Sequence, residues 1–353
     1  MNYVNVPNFL RKAVSTYLIV SVVIVAIVAA GVGTYLYITY SQKPTQQTTN
    51  VITNKTFTLA SLDPRSLITY APYAYVIQNG YLQKYAPNVN VVLYIGSGDV
   101  VKAIESGQAQ FGILPTLYAI QAIAANAPIT IITFLSIPYT IVVAVNPNSN
   151  ITNPSQLKGK TFVATTPFGP QDLFLRLFLK NMNWTLNDVK IVYVGANIPA
   201  TYAAVATGKV DAVTTYYLSA FTAIKKGLIK PIYFFNESWP SYVLVGDKNY
   251  IMQNPDTVKA VLKGLSEGFA AYDANNDNSS INFIINMYKG LNLTIGEAKT
   301  IWKLSQQYIN FTISVNLLDE ALKFLQSSGA VSKNITVDML YTKEFVPVVN
   351  VTS

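Results

Sequence analysis

The stretch at residues 89–116 leaves this chain few folds to choose from. A β-branched run at 89–95 reads as a strand and runs straight into Gly96-Ser97-Gly98-Asp99. Asp99 is placed to cap a helix whose apolar positions Val100, Val101, Ala103 and Ile104 share one side, and Ser106-Gly107 ends it. The apolar piece at 111–114 follows as the next buried strand. Strand, Gly-rich turn, helix and parallel strand make one βαβ unit. In open α/β sheets such turns lie at the carboxyl ends of strands, where ligands bind. Free N–H groups at the helix start suit an anion or a polar ligand. A tight turn serving only helix–strand packing is the other reading of a single Gly-Ser-Gly.

The alternation continues along the chain. Residues 57–60 read as the first strand and 71–79 as a helix ending at Gly80, with 129–134 and 141–145 as short apolar strands. A second α/β region opens with a strand at 161–165. Thr166-Pro167-Phe168-Gly169-Pro170-Gln171 then turns into a helix at 172–181, where Pro170 and Asp172 are good N-terminal chemistry. A strand at 191–194, helix 199–206, strand 212–215 and helix 218–226 follow. Residues 242–245 return the chain to the first lobe, and from Pro255 onward the pattern is mostly helical. The expected division is therefore lobe 1 at 57–145 and 242–345 and lobe 2 at 146–241. Two chain crossings between the lobes make a hinge suited to closing on a ligand.

The N-terminal part is different in kind. Residues 1–12 are polar and end in Arg11-Lys12. From 13 to 42 no residue is charged, and 17–38 is nearly all apolar. A helix over 17–38 spans roughly 33 Å, enough for the ~30 Å hydrocarbon core. Tyrosines flank it and the basic pair precedes it, so residues 13–38 are expected to form a transmembrane or anchor helix with the N-terminus inside. Residues 39–56 form a Pro/Thr/Gln/Asn linker.

Composition closes several routes. The 353 residues include no Cys and no His, which removes disulfides, thiolate or imidazole metal sites and every Cys-His or Ser-His-Asp arrangement. No cofactor is implied. Net charge is +8, but the basic residues are scattered and the arginines are Arg11, Arg65 and Arg176 alone, so nucleic acid is not an expected partner. Charged residues make up 12%, about half the usual share of a soluble domain. Nine Asn-x-Ser/Thr sequons, at Asn54, Asn150, Asn183, Asn236, Asn278, Asn292, Asn310, Asn334 and Asn350, all follow the apolar run and fit an exported glycoprotein. Gly159-Lys160-Thr161 lacks the upstream glycine of a phosphate loop, where Pro154 stands, and Val101 replaces the third glycine of a dinucleotide fingerprint. The Asp273–Asn278 run lacks the glycine and the glutamate of a calcium loop.

Several of these segments carry a family resemblance. Gly96-Ser97-Gly98, then Ala103-Ile104-Glu105-Ser106-Gly107-Gln108 and Phe111-Gly112, resembles the first lobe of ABC-transporter binding proteins for nitrate, taurine and aliphatic sulfonates, a family that includes binders of thiamine pyrimidine precursors. Ala71-Pro72-Tyr73 with Gly80-Tyr81-Leu82, Asn153 through Lys160, and Ala203 through Ala212 resemble further motifs of the same family, so the likeness orders roughly 57–343. Arg11-Lys12-Ala13 resembles the prepilin-type signals of archaeal solute-binding proteins, cleaved between Lys12 and Ala13.

The resemblance implies a two-lobe α/β fold of the periplasmic-binding-protein type II, preceded by one N-terminal transmembrane helix. It implies a non-enzymatic, extracytoplasmic solute-binding component of an ABC importer, tethered to the membrane. Its partners would be a small anionic, sulfonate- or nitrate-like ligand and separate permease and ATPase subunits. The site would be built from loops at strand ends: Arg65, Pro72 and Tyr73; Gly96, Ser97 and Gly98; Leu114, Pro115 and Thr116; Thr165, Thr166, Phe168, Gly169 and Gln171; Tyr216 and Tyr217. Backbone N–H groups and the hydroxyls of Ser97, Thr116, Thr165 and Thr166 would hold an anion, with Arg65 adding charge. Tyr73, Phe168, Tyr216 and Tyr217 would form an aromatic wall equally suited to a ring. An enzyme on the same fold, and a surface or sensory subunit that has lost its ligand, stand as alternatives.

Overall fold

The computed structural model describes residues 52–65, 68–195, 197–307, 311–345 and 350–352. The apolar run at 13–42 lies outside the described residues, as does most of the linker. Among the described residues no helix is long and apolar enough to cross a membrane.

Ten strands build two sheets: β1 (Phe57–Leu62), β2 (Val89–Tyr94), β3 (Phe111–Pro115), β4 (Ile129–Phe134), β5 (Thr140–Val145), β6 (Thr161–Ala164), β7 (Lys190–Tyr193), β8 (Ala212–Tyr216), β9 (Lys230–Asn236) and β10 (Tyr242–Asp247). The first sheet has the order β2-β1-β3-β10-β4 and the second β7-β6-β8-β5-β9. The two are built alike. In the first, β1 pairs parallel with β2 and β3, and β10 is antiparallel to β3 and β4. In the second, β6 pairs parallel with β7 and β8, and β5 is antiparallel to β8 and β9. The central strands are buried on both faces, which their unbroken apolar runs Ile141 to Val145 and Val243 to Val245 require.

Each lobe takes its antiparallel fourth strand from beyond a crossover. Thr140–Val145 hydrogen-bonds within the second sheet, so the boundary expected after Val145 lies before Thr140. The reason is register: β5 is flanked on both sides by strands of the second lobe, and its short apolar sequence fits a buried position in either sheet. β9 adds a strand that periodicity did not show. Pro231 near its start removes a ladder donor, and an edge position tolerates that loss.

Helices cover both sheets, and one governs the lobe 1 periphery. Pro255–Ala274 starts with Pro255 in its first turn and ends at Asn275, whose φ of 46° is a left-handed cap. It lies against the helices Ala71–Gln78 and Tyr81–Tyr85 through Gly264 and Gly268. A Cβ at Gly264 would stand 2.9 Å from the Tyr81 carbonyl oxygen and 3.0 Å from the Leu82 Cα, and one at Gly268 would stand 2.6 Å from a Val76 methyl. At Gly264 the helices touch backbone to backbone, and at Gly268 the Val76 side chain lies on bare backbone, because these positions have no side chain.

Gly264→Ala should therefore destabilise the fold by about 1–3 kcal/mol, although alanine is the better helix former by ~1 kcal/mol. Gly290→Ala, which faces open space, should shift stability by less than about 0.5 kcal/mol. Chemical-denaturation midpoints of the two variants check the contrast.

Candidate functional site

The carboxyl ends of the parallel strands of both sheets meet at a cleft. From lobe 1, Pro115 ends β3 and is followed by the helix Thr116–Ala124, which presents Leu117, Tyr118 and Gln121. From lobe 2 come Phe168 before the helix Pro170–Asn181, Pro170, Leu173 and Phe174 on its first turns, and Tyr216 at the end of β8. The space left between them is about 20 Å³. That holds about one water molecule. The lobes are closed on each other, and their facing side chains fill the gap.

Cross-lobe contacts account for the closure. The Gln121 side-chain N–H donates to the Phe168 carbonyl at 3.1 Å, and Arg176 Nη1 donates to the Ser328 carbonyl at 3.2 Å. On the other flank, Lys225 Nζ meets Glu297 at 2.6 Å, and Leu218 and Phe221 pack among Ile68, Ala71 and Tyr75. Among the described residues, none of the side chains lining the cavity is charged.

The lobe 2 loop is held by one buried carboxylate. Asp172, fully buried, accepts from the Phe168 backbone N–H at 2.9 Å and from Arg176 Nε at 3.0 Å on one oxygen, and from the Tyr193 hydroxyl at 3.0 Å on the other. Arg176 in turn lies over the Phe168 ring, 4.9 Å from its centre. Asp172 also stands in the first turn of its helix, where the dipole favours an anion.

Behind the cleft lies the hinge. The crossovers 135–139 and 237–241 are bonded to each other: Tyr139 N–H donates to Ser241 Oγ at 3.0 Å and Tyr242 N–H to Ser136 Oγ at 2.8 Å. Glu237 sits fully inside this junction, accepting from the Tyr216 hydroxyl at 3.0 Å and from Ser241 Oγ at 2.5 Å. Burial pushes its carboxyl up to about 8, against the opposing pull of the Ser241 and Tyr216 hydrogen bonds. Tyr216 thus has two ends, a ring 4.3 Å from that of Phe174 at the cleft and a hydroxyl on the hinge carboxyl.

The structure divides the residues expected at the site. Pro115, Phe168 and Tyr216 line the cavity. Gly96, Ser97 and Gly98 start a helix beside it, and a Cβ on Gly98 would come within 3.2 Å of the Tyr118 hydroxyl. Thr165, Thr166 and Gly169 form the turn carrying Phe168, tightly enough that a Gly169 Cβ would meet Thr166 Oγ1 at 2.6 Å. The rest point elsewhere. Arg65 is exposed and doubles back on Asp63 at 2.6 Å. Pro72 and Tyr73 lie inside lobe 1, Tyr73 donating to Gln307 at 2.8 Å. Leu114 is core, and the Thr116 hydroxyl donates to the Pro240 carbonyl in the hinge. Gln171 turns into lobe 2, donating to Thr201 at 3.0 Å. Tyr217 packs on Phe221 and Phe234. Leu117, Tyr118, Gln121, Leu173 and Phe174 were not anticipated. Their signal is positional, since each lies in the first two turns of a helix that follows a cleft loop.

Two matched α/β lobes, joined by paired crossovers and closing at their strand ends, are the architecture of the periplasmic binding proteins. The chain belongs to the NMT1/THI5-like family, whose model matches residues 68–279. Among solved structures it is similar to a Candida albicans protein described as defining a new family with the generic periplasmic binding protein fold (16% identity, TM-score 0.67, covering 82% of this chain and 96% of that one). It is similar to the periplasmic aliphatic sulphonate binding protein of Escherichia coli (15%, TM-score 0.66, 82% and 93%). It is also similar to the periplasmic nitrate-binding protein of Synechocystis (14%, TM-score 0.64, 82% and 86%). No curated protein matches the chain.

The hinge carboxyl gives stability a definite pH dependence. Its folded pKa, about 8, lies above the ordinary 4.5, so the native state holds the proton more tightly than the unfolded chain does. Its contribution is fully present below pH 4.5 and is lost as pH rises towards 8. Asp273, raised by burial to about 6, acts with the same sign over a lower window. Stability should fall between pH 5 and 8, and Glu237→Gln should flatten most of the decline above pH 6. Denaturation midpoints of both proteins across that range test it.

Proposed function

We propose that this chain is the extracytoplasmic solute-binding component of an ABC importer, which captures a small ligand between its lobes and delivers it to permease and ATPase subunits on other chains. The observation that carries this reading is the paired, hydrogen-bonded crossover behind a cleft of strand-end loops, a joint that lets two rigid lobes part and close. Family membership and the likeness to sulphonate- and nitrate-binding proteins support it. The ligand class is then a small oxyanion or sulfonate, met by the backbone N–H groups of the helix starts at Ser97 and Gln171. The residues 13–38 tether the chain to the membrane, with a prepilin-like signal of archaeal type before them.

A second reading, a surface subunit that has kept the fold and lost the ligand, draws on the cavity of about 20 Å³. Calorimetric titration of the purified full chain with nitrate, taurine and alkanesulfonates decides between them. Saturable binding is expected, with Ser97→Ala and Thr166→Ala each weakening it by about 1–3 kcal/mol at unchanged melting temperature. Heat-free titrations with all three, together with no small molecule copurifying from the host, would leave the second reading standing.

The exterior location makes its own prediction. The sequon asparagines at 54, 150, 183, 236, 278, 292 and 334 are exposed. Intact mass of native protein should exceed the polypeptide mass by several glycans. A bare polypeptide mass would contradict the glycoprotein reading.

A further inference from the structure

Phe168 combines three features that no neighbouring residue shares. Its φ is +57°, a conformation that a bulky side chain rarely adopts and that persists only when its surroundings enforce it. Its surroundings do so from three directions: Asp172 takes its N–H, Gln121 of the opposite lobe bonds its carbonyl, and the Arg176 guanidinium lies over its ring. Phe168 so held lines the interlobe cavity together with Pro115 and Tyr118 of the other lobe.

We infer that Phe168 sets the size of ligand this cleft accepts, its ring standing in volume that a ligand would otherwise fill. The inference rests on the solute-binding reading of the cleft and adds to it a residue that selects among ligands. The cross-lobe bond to Gln121 uses the Phe168 backbone, so closure does not need the ring. The ring's effect is therefore on volume. A chain with the same hinge and a smaller side chain here would close equally well around a larger guest.

The test uses full-length protein carrying Phe168→Gly, which removes the ring and suits the positive φ, and Phe168→Leu, which keeps most of the bulk. Phe168→Ala is the second ring-deleting variant, read in the same way should the glycine variant fold poorly. Thermal melts with toluene should show a rise that grows with toluene concentration in the glycine variant and is absent from the wild type and the leucine variant, as guest binding to the native state requires. Titration with linear alkanesulfonates from methane- to octanesulfonate should move the longest chain bound to a greater length in the glycine variant. Equal response of all proteins to toluene, or an identical chain-length limit, overturns the inference. Toluene discrimination with no sulfonate bound by any protein retains the volume role of Phe168 and overturns the sulfonate class proposed above.

Discussion

The two backbone N–H groups that cross the hinge, Tyr139 to Ser241 and Tyr242 to Ser136, are what the rest of the molecule depends on. The first comes from one crossover and the second from the strand that follows the other, and each is satisfied by a serine hydroxyl across the junction. Both serines are buried, Ser241 at 1% exposure and Ser136 at 0%, so an N–H left without its partner there would carry the full desolvation cost of about 1–3 kcal/mol. The crossovers therefore move as one piece. Because each lobe draws its fourth strand from beyond them, this junction fixes how both sheets start, and Thr116 extends it to the first turn of a cleft helix through its bonds to Pro240 and Ser241.

A second buried acid plays the matching role on the lobe 2 side. Asp172 and Glu237 are both fully enclosed, yet their surroundings differ. Asp172 faces the Arg176 guanidinium and two further donors. Glu237 meets hydroxyls and aromatic rings, with no cation among the described residues, so burial wins and the proton stays to a higher pH than usual for a carboxyl. One carboxyl anchors a strained loop, and the other lies inside a joint. Tyr216 runs between the hinge acid and the cleft, so a change at either is felt by the same side chain.

Much of the architecture was legible in the sequence because it is local. Period-two and helical spacing with Gly punctuation located β1 to β3, the second-lobe strands β6 to β8 and the helices from Pro255 onward. What stayed hidden depends on packing. The sheet to which β5 belongs is settled by its neighbours β8 and β9, and β9 was masked by Pro231. The cleft loops were placed by topology, but the directions of their side chains were not. Tyr73 looked like a wall and is core, because the helix Ala71–Gln78 turns it towards Phe269. Arg65 looked like an anion ligand and is bound to Asp63 two residues earlier. Glu237 lay in plain view inside the sequon Asn236-Glu237-Ser238, where nothing separates an exposed asparagine from the fully buried acid beside it.

Closure with so little space has an energetic consequence for binding. A ligand shifts the balance between open and closed lobes only by the difference in its interactions with the two. Here the closed state is already supported by Gln121, Arg176, Lys225 and the apolar contacts of Leu218 and Phe221. The Lys225–Glu297 pair is partly exposed, 24% and 32%, so screening leaves it a modest share and the buried apolar surface carries more. A ligand entering such a cleft trades existing ring–ring contacts for its own. Its net affinity is then the surplus over the packing of Phe174 on Tyr216, and polar groups reaching the helix starts are where that surplus can be gained.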